Sequence, residues 1–405
     1  MKLLGGTNMR RHILLTLLMV SVVTGLQAQT FTAYCPTKQE IECKILKDGK
    51  SVEIVKFTGR DFLGDLSVPS VVVFEGKTYK VTAIGKEALF RAGGSLHSIH
   101  IPKTITSIGK YAFYELDSLV AIRVDKRNRV YDSRENCNAI IKSKTNELVL
   151  GCQGTVIPST VTFIGESAFA SCTHLTDIFI PNSVKSIGAG AFFRCPSLTA
   201  ISIPNSVKRI GDVAFYYCYS LASVSISRSV KSIGRDVFHF CDSLACIHVD
   251  PNNPVYDSRD SCNAIILSKN NELMVGCQNT IIPNTVTSIG KGAFYHCIGL
   301  DSISIPNSIT SIGDWAFYHC VGLTSINIPN SVTSIGYGAF YHCVNLTSIN
   351  IPNSVTSIGN DAFHLCNRLT SINIAEDHPI FKIQEDGETI RIIDKRTGSI
   401  VAIIP

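Results

Sequence analysis

His296, His319 and His342 each stand directly before a cysteine, and the pair returns every 23 residues, a spacing that invites a stack of imidazole and thiolate metal ligands. Neighbouring residues of one short element point in different directions, so a Cys turned inward leaves the adjacent His facing elsewhere, and no metal or cofactor is expected. Asp250-Pro-Asn-Asn-Pro offers the oxygen ligands calcium takes, but without the spacing of a calcium loop; it reads as a turn. Gly188-Ala189-Gly190 opens like a dinucleotide fingerprint, and Ala191-Phe192 shows it to be a corner of the repeat. The sequence holds no His-Glu-x-x-His, no Cys-x-x-Cys, no phosphate loop and no Gly-x-Ser-x-Gly elbow. Copies of one unit supply ladders instead of a converging pocket, and no enzyme is expected.

The chain's 15 cysteines fall into two kinds. Cys172, Cys195, Cys218, Cys241, Cys297, Cys320, Cys343 and Cys366 recur in the repeat, on an inward stripe where a thiol acts as a small apolar group. Side chains one repeat apart point the same way, near the outer limit of bridging geometry, so these are expected as unpaired thiols. Cys137 with Cys152, and Cys262 with Cys277, each bracket a segment that reads as a hairpin; at the chain's end Thr389 and Ile404 take both places together. A disulfide across each hairpin is expected, the other reading being two core thiols. Cys35 and Cys43 are a further candidate pair, and Cys246 is left over.

The elements that must position these residues are legible from Ile281 to Leu369. Ile303-Ser304-Ile305 alternates apolar and polar and stops at Pro306, which cannot donate to a sheet ladder. Ile309 to Ile312 alternates again and stops at Gly313, read as a corner of positive φ. Ala316, Phe317, Cys320 and Leu323 have the spacing of a helical stripe and predict a helix of about two turns. The landmark glycines Gly290, Gly313, Gly336 and Gly359 set the 23-residue period. One such unit cannot bury its own apolar side, so the copies must stack.

Leu-x-x-Ile-x-Ile-Pro-x-Ser-Val-x-x-Ile-Gly-x-x-Ala-Phe-x-x-Cys runs from Leu323 to Cys343 and Leu346 to Cys366, and from Leu300 to Cys320 with Ile309 for Val. This unit resembles the BspA-like leucine-rich repeat, found in bacterial surface and secreted proteins. The expected fold is an α+β repeat solenoid, a right-handed leucine-rich-repeat coil of strand-strand-short-helix units with β-hairpin inserts and caps. What the resemblance implies for function is adhesion, members being associated with binding host matrix proteins and with attachment between cells.

Two inserted texts interrupt the period. Val130-Tyr-Asp-Ser-Arg-Glu-Asn-Cys137 returns as Val255-Tyr-Asp-Ser-Arg-Asp-Ser-Cys262, so that insert plus four rungs form a unit of 125 residues used twice. The expected division is a signal peptide at 1–28, an N-terminal β cap at 29–80, repeats at 81–124, a hairpin insert at 125–157, repeats at 158–249, a second insert at 250–282, repeats at 283–374 and a closing hairpin cap at 375–405. The signal peptide is read from Lys2, Arg10 and Arg11 ahead of the apolar run Ile13 to Val23, with Leu26-Gln27-Ala28 before the cleavage point. Beyond it no stretch is apolar enough to span a membrane, and the protein is expected to be secreted or held at the cell surface. Charged residues make up 17% of the chain and the net charge is +5, which gives no nucleic-acid footprint.

Two repeated faces remain outside the core. Ser202, Ser225, Ser304, Asn327, Asn350 and Asn373 mark the outward positions of the first strand, a flat polar face for an extended polypeptide or a glycan. Tyr295, Tyr318 and Tyr341 mark the outer side of the third segment, an aromatic surface of the kind met at interfaces. The expected function is an exported interaction protein, an adhesin for host or neighbouring-cell proteins; the alternative is a carbohydrate-binding or envelope-organising protein.

Overall fold

The computed structural model describes residues 29–58, 64–90, 96–386 and 389–404. The expected signal peptide and the irregular stretch 91–95 lie outside the described residues. Six strands open the chain: β1 (Thr30–Tyr34), β2 (Glu40–Ile45), β3 (Ser51–Phe57), β4 (Gly64–Ser67), β5 (Val71–Phe74) and β6 (Lys77–Ile84). Alternate residues of β1 are buried, as a half-covered sheet requires. Five of these strands form one sheet in the order β1-β2-β3-β6-β5. The solenoid grows directly from this cap: β4 pairs in parallel with β7 (Leu96–Ile101), and β6 with β8 (Ser107–Ile108).

Two parallel seams then climb the solenoid. The first passes from β7 to β9 (Ala121–Val124), where it stops at an insert. The insert is β10 (Tyr131–Asp132), β11 (Ile140–Lys142) and β12 (Glu147–Leu150), a β-hairpin as expected. Its last strand pairs in parallel with β13 (Phe163–Ile164), and the second seam continues through β14 (Ser186–Ile187), β16 (Arg209–Ile210) and β18 (Ser232–Ile233). The first seam resumes as β15 (Ala200–Ser202), β17 (Ser223–Ile226) and β19 (Cys246–Val249). The second insert and the rungs above it repeat this arrangement, and a three-stranded antiparallel sheet, Phe381–Asp386, Thr389–Asp394 and Ile400–Ile404, closes the end.

Each hairpin acts as a septum. Ile140, Leu150 and Cys152 face the core below it, whereas Cys137, Ile141 and Leu148 face the core above. That two-sided burial explains the unbroken apolar pair Ile140-Ile141. It also separates the cysteines of each expected disulfide: Cys137 and Cys152, like Cys262 and Cys277, stand as free thiols in different core blocks. Cys35 and Cys43 are buried in the cap as free thiols as well.

The third side of each rung is not a helix, and the expected α+β unit is corrected to a β-solenoid rung. Among the described residues the only helical segments are single 3-10 turns within the inserts, Arg134–Asn136 and Arg259–Ser261. An α-helix would spend its N–H groups four residues back along the chain. Here the N–H groups of Trp315, Phe317 and His319 donate instead to Tyr337, Ala339 and Tyr341 on the next rung, at 2.7–2.8 Å. Between them the chain closes three-residue turns, Tyr318 N–H to the Trp315 carbonyl and Cys320 N–H to that of Phe317. Trp315 and His319 take positive φ of 56° and 57° to allow it. Steps of three residues, 317 to 320 to 323, bury the same side chains that a helical stripe would.

Gly313 is not the positive-φ corner expected of it. A Cβ there would lie 2.8 Å from the carbonyl carbon of Gly290, so the requirement is close backbone approach between rungs. Inside, Phe294, Phe317, Phe340 and Phe363 stack with ring centroids 5.0–5.6 Å apart and planes within 7°. Phe169, Phe192, Phe215 and Phe238 do the same in the block below.

Candidate interaction surfaces

The ladder cysteines are part of the scaffold. Cys320 Sγ donates to the Phe294 carbonyl at 3.1 Å, and Cys343 and Cys366 reach Phe317 and Phe340 at the same distance. A thiol here fills a small space and also satisfies a buried carbonyl, a second role that spacing alone did not suggest. Burial pushes the Cys320 and Cys218 thiols up to about 12. They are therefore poor nucleophiles, since the thiolate is the reactive form. The neighbouring histidines stack on one another, His296 on His319 at 4.3 Å and His319 on His342 at 4.4 Å, on the side away from the sulfur column. Among the described residues no group of three or more His, Cys, Asp or Glu side chains is placed to hold a metal ion.

The first seam buries alternate side chains and turns the ones between them outward. Parallel register aligns Ser202 with Ser225, and Asn327 with Asn350 and Asn373, while Ser304 bridges to Asn327. The structure thus brings the sequence-selected residues into two columns on one face, the break between them falling at the second insert. The same column holds residues that the repeat pattern hid, because they depart from it. His248 follows Ser225, and on the separate sheet below the first insert Ser67, His100 and Arg123 align in the same way. At the place of Ser202 one rung earlier stands Phe179, 79% exposed; Val156 and Ile281, which follow the two inserts, are 74% and 72% exposed. Apolar letters where neighbouring repeats carry Ser or Asn were the available signal.

On the third side of the rungs the sequence-selected tyrosines form a continuous stack. Tyr295 lies 4.4 Å from Tyr318, which lies 5.5 Å from Tyr341, and Trp315 meets Tyr318 and Tyr341 edge-on. The column extends downward through His239, 4.2 Å from Tyr295, and upward to His364 beside Tyr341. Burial raises the Tyr295 hydroxyl well above its ordinary pKa, with Tyr318 adding to the effect. Rings stacked face to face along the axis present their edges to solvent, not the open faces on which a sugar would lie.

Two parallel seams, tight turns and repeated apolar ladders define a leucine-rich-repeat solenoid, and comparison with known proteins narrows the class. The model of the BspA type leucine rich repeat region matches residues 82–138, 140–259 and 273–385 in 6 copies, and the chain belongs to that family. Its fold is similar to that of a leucine rich cell surface protein from Faecalibacterium prausnitzii, with 26% identity and a TM-score of 0.55 over 86% of this chain and 97% of that one. A leucine-rich repeat protein from Eubacterium ventriosum is similar in fold at 21% identity and a TM-score of 0.50, over 85% of each chain. No curated protein matches. The family is one of repeat scaffolds whose surfaces bind other proteins, and no helix among the described residues is long and apolar enough to cross a membrane.

Proposed function

We propose that the protein is an exported bacterial surface protein that binds host or neighbouring-cell proteins through the outward face of its first seam. Support comes from one observation above the others: the outward positions of the first seam carry Arg123 below the first insert, Phe179, Ser202, Ser225 and His248 between the inserts, and Asn327, Asn350 and Asn373 above the second. An arginine and an exposed phenylalanine set among small polar groups are the composition of a protein-binding surface with anchor residues. The cell-surface description of the Faecalibacterium relative supports the location. Carbohydrate binding is the second reading, favoured by the Asn column, whose amides could pair with sugar hydroxyls; the edge-on tyrosine stack does not add to it.

Panning the chain, freed of residues 1–28, against immobilised matrix proteins and a glycan array in parallel separates the two. Capture by matrix protein is expected. Capture by polysaccharide alone, with matrix binding at background, would replace the adhesin reading with the glycan one.

A further inference from the structure

The two 125-residue units differ in charge where the first seam meets its insert. Residues 121–130 carry Arg123, Lys126, Arg127 and Arg129 against one carboxylate, Asp125; the corresponding stretch 246–255 has Asp250 and no Lys or Arg. The backbone differs as well. In the second unit the insert closes on the edge of β19: Gln278 N–H donates to the Leu244 carbonyl and Ser258 Oγ to that of Ile247, both at 3.2 Å. In the first unit Ser133 turns away to the Ala139 carbonyl, and the edge of β9 is met by the Asn138 side chain alone among the described groups. Asn138 Oδ1 accepts from Ile122 N–H at 2.6 Å and its Nδ2 donates to the Val120 carbonyl at 2.7 Å. A side-chain amide thus stands where one peptide unit of a further strand would sit. The remainder is a cleft of about 1010 Å³ with Arg123, Val124 and Lys126 on one wall and Glu135, Asn136 and Asn138 on the other.

We propose that this cleft takes an extended acidic polypeptide segment, which adds to the sheet as a strand beside β9. Successive residues of a strand turn their backbone groups to opposite sides, so Ile122 and Val124 direct theirs at the cleft. Asn138 already holds the Ile122 N–H, so a strand laid there pairs with the Ile122 carbonyl and with both backbone groups of Val124, the mode by which exposed sheet edges recruit peptides. Charge selects an acidic one. Asp125, Asp132 and Arg134 also line the cleft, but Arg127 binds Asp125 at 2.9 Å and Arg134 binds Asp132 at 2.7 Å, so the lining charges left to meet the ligand are Arg123, Lys126 and Glu135, with a positive balance. The inference deepens the protein-binding reading and rests on it.

The test uses the full chain and a labelled ten-residue peptide of alternating Glu and Val, read by fluorescence anisotropy. Three further probes accompany it: the same peptide with Gln for Glu, the same peptide N-methylated at alternate backbone nitrogens, and a sulfated oligosaccharide of similar length. Saturable binding of the acidic peptide is expected, weaker by about tenfold for the Gln peptide and lost on N-methylation. The double substitution Arg123→Glu and Lys126→Glu, both exposed, should lower affinity at least about tenfold with an unchanged melting curve, whereas Lys269→Glu, on the exposed turn of the second hairpin, should change nothing. Equal binding of the N-methylated peptide, an unaffected double variant, or capture of the oligosaccharide in place of the peptide would each overturn the proposal. Matrix capture with every peptide at background would also overturn it while leaving the surface-protein reading in place; peptide binding with matrix capture at background would uphold the cleft and remove the matrix partner.

Discussion

A Cβ placed on Gly336 would fall 2.4 Å from the amide nitrogen of Asp314, one rung below. Backbone cannot swing aside as a side chain can, so Gly336→Ala must push two rungs apart. The expected cost is about 1–3 kcal/mol, the range for forcing a carbon into a packed site. Gly398→Ala is the control: its φ is 71°, but nothing lies within 4 Å of the added carbon, so it isolates backbone strain from collision. Urea midpoints of both variants check the comparison; a Gly336→Ala protein as stable as wild type would remove close approach as the reason for glycine.

The sulfur column makes a chemical prediction. Cys246 is exposed on the outward face of β19, whereas Cys195, Cys218, Cys241, Cys320, Cys343 and Cys366 are buried. Burial holds Cys218 and Cys320 up at about 12, so their thiolates are scarce at pH 8. Brief treatment of the native protein with iodoacetamide should label Cys246 first. Denaturation without reductant should then bring the labelled total to 15, the chain's full complement. Mass spectrometry that found fewer, with Cys137 linked to Cys152, would restore the disulfide and contradict their placement in separate core blocks.

The repeat period, the two parallel seams, the hairpins and the inward ladders were all legible in the sequence because identical letters at identical spacing must share an environment. The third side was misread because a pattern of buried side chains reports which residues face inward, not where the backbone N–H groups go. Phe317, Cys320 and Leu323 satisfy a helical stripe and a chain of three-residue turns equally well; the inter-rung bond from Phe317 N–H to Ala339 decides between them. The placement of the paired cysteines was hidden for a related reason. Cys137 and Cys152 bracket one hairpin in sequence, but a strand buried on both faces sends them to opposite sides. The outward columns were read from the repeated Ser and Asn, and the search for copies passed over Arg123 and Phe179, which are not copies.

Phe179 offers a direct test of the outward face. At 79% exposure it contributes little to the core, so Phe179→Asp should alter stability by no more than about 0.5 kcal/mol. If the face binds protein, the same substitution removes an aromatic anchor and adds a charge, and capture on the panned partner should fall by about tenfold or more. Asn350→Ala, in the Asn column, should have a smaller effect. Equal capture by wild type and Phe179→Asp would move the binding surface elsewhere, the tyrosine stack being the next to test.

The stacked histidines give the protein a pH dependence of definite sign. His319 lies between His296 and His342, and its pKa is lowered to about 4, by burial first and then by those two neighbours, with Asp242 opposing. His239, packed on Tyr295, is lowered to about 4 by burial, against the pull of Asp236. An unfolded histidine takes up its proton near pH 6.5, so between about 6.5 and 4 the unfolded chain binds protons that the folded one does not. Stability should therefore be full above pH 6.5 and fall as the pH drops through that window. Asp125 and Asp394, held down at about 2 by Arg127 and Arg396, lose their contribution as the pH falls from the ordinary carboxylate value toward 2, so the upper part of the window belongs to the histidines. His319→Phe keeps an aromatic ring in the stack and removes the proton site. Its urea midpoint should decline less steeply than that of wild type from pH 6.5 to 4, and still less in combination with His239→Phe; slopes identical to wild type in both variants would show that the stack does not couple to folding.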